Sequence, residues 1–273
     1  MKRLRAVTEA EVILEFLRNE FHHHDFDRDR ALYARLVEDP DVSDEGQNAL
    51  RRALFYRRRG HMWNQLPRDT GWCQVELEDS DLDRLCVLAR THWRKIGGGN
   101  CLLRHVVEQI HTRDFHGVRI VGGTAHGGVE ISDVGAKVDA IRGFSERMRN
   151  REDSSAVLLI GIDDRSPITI LEGNHRLTAA LLVSPARLRG QFRVYFGASP
   201  EMARCCWYGN PTVPNMLRYV ANRLRHAGNK EADIARVAAA TVGFGGIEPA
   251  TTRSKPAATR SAECDVRLVS PKF

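Results

Sequence analysis

The sequence predicts an α+β fold: a small mixed α/β core with a helical N-terminal region before it and a C-terminal helix after it. Three observations carry this. Apolar residues recur at helical spacing through the first third of the 273 residues. Two short apolar runs, SSAVLLIGI and ITIL, flank the turn DDRSP, as buried strands joined by a hairpin do. ITIL then passes straight into an apolar helix through EGNHR. The expected division is a helical region at 1–113, a mixed α/β core with its C-terminal helix at 114–246, and a disordered tail at 247–273.

Each element has its own signal. Thr8 and Glu11 form a capping box ahead of Ile13, Phe16 and Leu17. A second helix is expected from Arg28 to Glu38, with Leu32 and Leu36 on one face and Pro40 as its stop. A third spans Ser43 to Arg59 and carries Leu50, Ala53 and Leu54. A fourth starts near Ser80 with Leu82, Leu85, Cys86 and Ala89, and a fifth holds Leu102, Leu103, Val106, Val107 and Ile110. GVRIVGG and Val129 to Ile131 then read as strands. Ser132 is expected to cap a helix bearing Val134, Val138, Ile141 and Met148. QFRVYFG is a further strand. After Pro211 and Pro214 comes a helix with Leu217, Val220 and Leu224 aligned. The tail is polar and rich in Pro, Thr and Ser.

Composition sets limits. Hydrophobic content of 42% supports a core, and no apolar run approaches the ~18 residues of a membrane-spanning helix. Glu9, Glu11 and Glu15 break the apolar part of the N-terminus, so it does not read as a signal peptide, and a cytoplasmic location is expected. Cys73, Cys86, Cys101, Cys205, Cys206 and Cys264 make no CxxC pair, which argues for buried thiols and against a zinc ribbon. A net charge of +6 and a pI near 9.2 suit anionic ligands.

The segment Leu171 to Leu182, LEGNHRLTAALL, concentrates the chemistry. Gly173 permits a tight turn and Asn174 is a good N-cap. Free amides and the positive end of the helix dipole then point at one place, where His175 and Arg176 add cationic donors. Cations at a helix N-terminus oppose the dipole, and a bound anion removes that conflict.

Gly173, Asn174, His175, Arg176, Leu177, Thr178 and Ala179, directly after a strand hairpin, resemble the G-x-[HR]-R-x-x-A segment of the ParB/sulfiredoxin-like superfamily. The resemblance covers about residues 116–206. It implies a compact fold that binds nucleotide phosphates at the start of this helix. Sulfiredoxins carry a cysteine where this chain has Asn174, which excludes their chemistry. Chromosome-partitioning members show two arginines where this chain has His175 and Arg176; they bind CTP and carry a helix-turn-helix that is not legible after residue 206. The branch that phosphorylates free serine with ADP or ATP has the His-Arg pair and is closest in motif, although Glu172 stands where it has Asp.

The expected function is therefore a nucleotide-dependent kinase acting on a small hydroxylated or amino-acid-like metabolite, with ATP or ADP (CTP as the alternative) and Mg²⁺ as cofactors. Glu172, Gly173, Asn174, His175 and Arg176 are the expected phosphate-binding set, with Glu172 orienting His175 or holding Mg²⁺ through water. The expected catalytic residues are His175 and a carboxylate base, Glu130 first and Asp133 second. No protein metal site is expected: adjacent histidines in HHHDFD point apart, and IGGGN lacks the Lys-Ser/Thr of a P-loop. CCWY reads as packing and His126 as a loop bystander. The competing readings are a DNA-associated nucleotide switch or nuclease, supported by the basic charge, and a non-catalytic nucleotide sensor. No membrane partner is expected.

Overall fold

A computed structural model describes residues 1–23, 26–123, 129–149, 155–188, 191–226, 228 and 232–241. The α+β class holds. In chain order the elements are β1 (Lys2–Val7), α1 (Glu9–Glu20), α2 (Asp27–Tyr33), α3 (Arg35–Glu38), α4 (Glu45–Trp63), β2 (Gly71–Glu76), α5 (Asp79–Leu82), β3 (Leu85–Cys86), α6 (Thr91–Ile96) and α7 (Leu103–Thr112). There follow β4 (Arg119–Gly123), β5 (Val129–Asp133), α8 (Val134–Arg149), β6 (Ala156–Gly161), β7 (Ile168–Glu172), α9 (Asn174–Val183), α10 (Pro185–Leu188) and β8 (Arg193–Ala198). A 3₁₀ turn (Pro200–Arg204), α11 (Val213–Arg225) and α12 (Ile234–Thr241) end the described chain.

A six-stranded mixed sheet of order β1-β2-β8-β6-β7-β3 forms the centre, and β4 and β5 make a separate antiparallel ribbon. Strand β6 is buried along its whole length. Val157 and Leu159 join the core built with α7, α8 and α9, whereas Ala156, Leu158 and Ile160 join the core built with α1 and α4. Helices thus cover both faces, which is why SSAVLLIGI lacks the alternation of a half-exposed strand.

The first 113 residues are not a helical region standing apart. They supply β1, β2 and β3, half of the central sheet. Strand β1 pairs with β2, β2 pairs with β8, and β3 runs parallel to β7. The expected fourth helix is only α5: Leu85 and Cys86 leave helical geometry to pair with Ile168 and Thr169. The helix expected from Arg28 to Glu38 breaks into α2 and α3 at Ala34; Leu36 turns inward while Leu32 is exposed. The Thr8–Glu11 capping box forms, with Thr8 N–H donating to Glu11 Oε2 at 2.7 Å. At the start of α8 Asp133 Oδ1 accepts from the Ala136 N–H at 3.2 Å, while the side chain of Ser132, the expected cap, lies outside the described residues. No helix among the described residues is long and apolar enough to cross a membrane. The tail at 247–273 lies outside the described residues.

Candidate phosphate-binding site

Strand β7 delivers the chain to Gly173, which adopts φ +97°, a left-handed conformation that L side chains rarely take. A Cβ there would also meet Val157 Cγ2 at 3.0 Å. Gly173 is therefore the N-cap, and its carbonyl accepts the first helical bond from Leu177 N–H at 2.9 Å. The amides of Asn174, His175 and Arg176 precede that bond. No side chain among the described residues caps them, so they point out of the helix end as donors.

Asn174 does not cap the helix. It is buried, and its Oδ1 accepts from the Leu88 N–H at 2.8 Å while its Nδ2 donates to the Ile170 carbonyl at 3.0 Å. It fastens the segment after β3 to the start of α9. Replacing it with Ala leaves a buried amide and a buried carbonyl unpaired, each worth about 1–3 kcal/mol. Asn174→Ala is expected to lower unfolding stability by about 2–4 kcal/mol in urea titration; a loss under about 1 kcal/mol would contradict this role.

The turn opens into a pocket of 530 Å³ lined by Glu172, Gly173, His175 and Arg176 from β7 and α9, and by Glu20 and Arg193 among others from α1 and β8. Glu172 Oε1 accepts from the Gly173 N–H at 3.0 Å and lies 3.5 Å from Arg176 Nη2. Its side-chain partner is thus Arg176, and no hydrogen bond joins it to His175 among the described residues. Arg176 is largely buried, and no other carboxylate among the described residues pairs with it within salt-bridge distance. Arg18 and Arg193 also border the pocket, but both are drawn to Glu15, at 2.6 and 2.8 Å.

His175 leans on Trp93 (ring centroids 5.1 Å apart) and stacks on His92 (6.2 Å, planes 10° apart). Surrounding protein and the Lys137 and Arg176 cations lower its pKa, against the pull of Glu172. His92 is pushed down to about 3, first by burial and then by Lys137 and His175, and its buried Nε2 has no hydrogen-bond partner among the described residues. Lys137 of α8 thus brings a further positive charge to the helix end.

Sequence reading missed Glu20. It ends α1, and the preceding residue anchors it: Asn19 Nδ2 donates to the Ala156 carbonyl at 2.8 Å, and Ala156 N–H donates back to Asn19 Oδ1 at 3.1 Å. Glu20 sits 3.5 Å from Arg59. Burial first, then the nearby Glu172 charge, raise its pKa despite Arg59 and Arg176. Only the fold could bring it here, because nothing around Glu20 in the sequence marks it out.

Of the two expected bases, Asp133 is not brought to this pocket; it caps α8 and borders a separate cleft with Asp114 and Arg142. Glu130 pairs through its backbone with Gly122 in the ribbon, and its side chain lies outside the described residues, as does His126. His22 of HHHDFD reaches the pocket wall, while His24 and Asp25 lie outside the described residues. No group of three metal-ligating side chains occurs among the described residues. Cys205 and Cys206 are buried, with thiols pushed up to about 11 and about 12 chiefly by burial, which suits packing rather than nucleophilic attack. No family model, no curated protein and no solved structure matches this chain.

Proposed function

We propose that the chain is a nucleotide-dependent phosphotransferase that phosphorylates a small hydroxylated or amino-acid-like metabolite. One observation carries the reading: the Gly173 turn with the helix start at His175 and Arg176, the Arg176 guanidinium and the half-buried Glu20 carboxylate line one pocket. The amides and Arg176 suit the terminal phosphates of ATP or ADP, and Lys137 adds charge to the same helix end. Glu20 takes the part of the base first sought in Glu130 and Asp133.

A divalent cation is compatible with the donor set. Glu20 and Glu172 are hard oxygen donors in the same pocket as the phosphate cradle, and Mg²⁺ is commonly held by one or two carboxylates together with substrate phosphates. Bound there, it would neutralise charge on the transferring group. Glu20 accepts the proton of the acceptor hydroxyl as its oxygen bonds to the terminal phosphorus and the bond to the leaving phosphate oxygen breaks. Arg176 and the helix amides balance the negative charge spread over the phosphoryl oxygens. His175, with its pKa lowered, acts as a neutral donor or packing wall beside them.

The test is incubation of the full chain with Mg²⁺ and ATP, ADP or CTP against a pool of amino acids and hydroxylated metabolites, followed by mass spectrometry. A metabolite gaining one phosphoryl group is the expected result. Nucleotide hydrolysis that requires duplex DNA would overturn the kinase reading in favour of a DNA-associated switch. Nucleotide binding with no turnover against any acceptor would leave a sensor.

A further inference from the structure

A second group of donors stands beside Glu20 and Glu172. Arg90 immediately precedes α6 and follows Leu88, whose amide Asn174 fastens to the start of α9, by two positions. Its side chain is half-buried, and its Cζ lies 5.1 Å from the centre of the Trp207 ring. Among the described residues its side chain reaches one polar atom, the Met62 sulfur, at 3.3 Å. No carboxylate among them comes within salt-bridge distance of it; Glu172 attracts it from farther away and is already engaged by Arg176. The Trp207 Nε1 is buried and has no hydrogen-bond partner among the described residues. His61, with its ring 6.2 Å from that of Trp207, is pushed down to about 4 by burial and then by Arg90, Arg59 and Arg223, so it is an uncharged imidazole at neutral pH. Arg59 acts on both Arg90 and His61, and lies 3.5 Å from Glu20.

A guanidinium withdrawn from water without a counter-charge is destabilising, and so is a buried N–H without an acceptor. One bound anion relieves both. We propose that Arg90, Arg59 and the Trp207 N–H bind the carboxylate of a small organic acid. Two carboxylate oxygens suit the planar fork of an arginine, and either can also accept from an indole N–H. Charge selects a carboxylate over a phosphate. Glu20 and Glu172 stand close by, and a dianion meets about twice the repulsion from them that a monoanion does. Arg59 links this group to Glu20, so an acid held here brings its other substituents beside the base assigned above. The carboxylate is then that of the acceptor, which is a hydroxy acid; this last step, unlike the site itself, rests on the phosphotransferase reading.

Thermal melts of the full chain test the site without nucleotide. Sodium acetate and sodium glycolate are expected to raise the melting point above sodium chloride at the same ionic strength, and glycolamide, similar in size but uncharged, is expected not to. Measured against each variant's own melt, the acetate shift should persist in Arg176→Ala and vanish in Arg90→Met. Trp207→Phe keeps an aromatic ring and loses the N–H, so it should weaken acetate binding by roughly fivefold, and it decides the matter if Arg90→Met does not fold. No shift beyond that of chloride, or a shift that Arg90→Met and Trp207→Phe leave intact, would overturn the proposal. So would a shift that appears only after Glu248, Glu263 and Asp265 are changed to their amides, since the tail would then supply the anion. Transfer assays place the acid. If it is the acceptor, the phosphorylated product is a hydroxy acid, and Arg90→Met raises KM far more than it lowers kcat. If the product carries no carboxylate, the site serves a separate small acid. A chain that phosphorylates nothing but keeps the Arg90-dependent acetate shift loses the kinase reading and keeps the site.

Discussion

Arg176→Ala is expected to lower kcat/KM for phosphoryl transfer by about 10²–10³, the usual cost of removing one preorganised donor from a developing charge. The side chain is already in place. Its Nη2 lies 3.5 Å from Glu172 Oε1, and its side chain is only 14% exposed. Little reorganisation would therefore be needed to bind the proposed phosphate. Arg176→Lys should recover only part of the loss, because an ammonium keeps the charge but not the planar fork that meets two phosphate oxygens at once. Removing Arg176 leaves the largely buried Glu172 and its neighbour Glu20 without that cation, so Arg176→Ala is also expected to lower the unfolding midpoint. A steady-state assay with a parallel thermal melt separates the two effects. Full transfer by Arg176→Ala would remove the phosphate site from this helix end.

That helix end was legible in the sequence because its determinants are local. The β7 strand, the Gly173 turn and the start of α9 occupy consecutive residues, and a strand running straight into an apolar helix leaves few alternatives. The buried run at β6 was legible for the same reason. Strand β1 was not, because it is a charged edge strand whose side chains are nearly all exposed and show no alternation. Strand β3 was read as helix because Leu82, Leu85 and Cys86 fit a helical period, and pairing with β7 overrode it. Asn174 was given the right position and the wrong partner: its side chain serves Leu88, far away in sequence, instead of the helix amides. Glu20, Lys137 and His92 were invisible as site residues, since their only link to Arg176 is through space. The stripe on α11 was read correctly as periodic, but periodicity does not say which side faces the body.

Glu20→Gln should be the most damaging single change to turnover, at about 10²–10⁴ in kcat, because it removes the proposed proton acceptor while keeping the shape of the side chain. The pH dependence gives the sharper test. Burial and the Glu172 charge raise the Glu20 pKa, and the base must be ionised to work. The rate of the parent chain should therefore rise with pH through a limb displaced above the ordinary carboxylate range. Glu172→Gln removes a neighbouring negative charge and should move that limb to lower pH. Stability runs the other way. A carboxyl whose folded pKa is raised binds its proton more tightly in the folded state, so its contribution is favourable at low pH and falls as pH rises from the unfolded pKa through the folded one. At neutral pH the ionised Glu20 is a burden on the fold, and Glu20→Gln should melt no earlier than the parent chain. A structural carboxylate would behave in the opposite way: its loss would lower the melting point and leave the acid limb where it was.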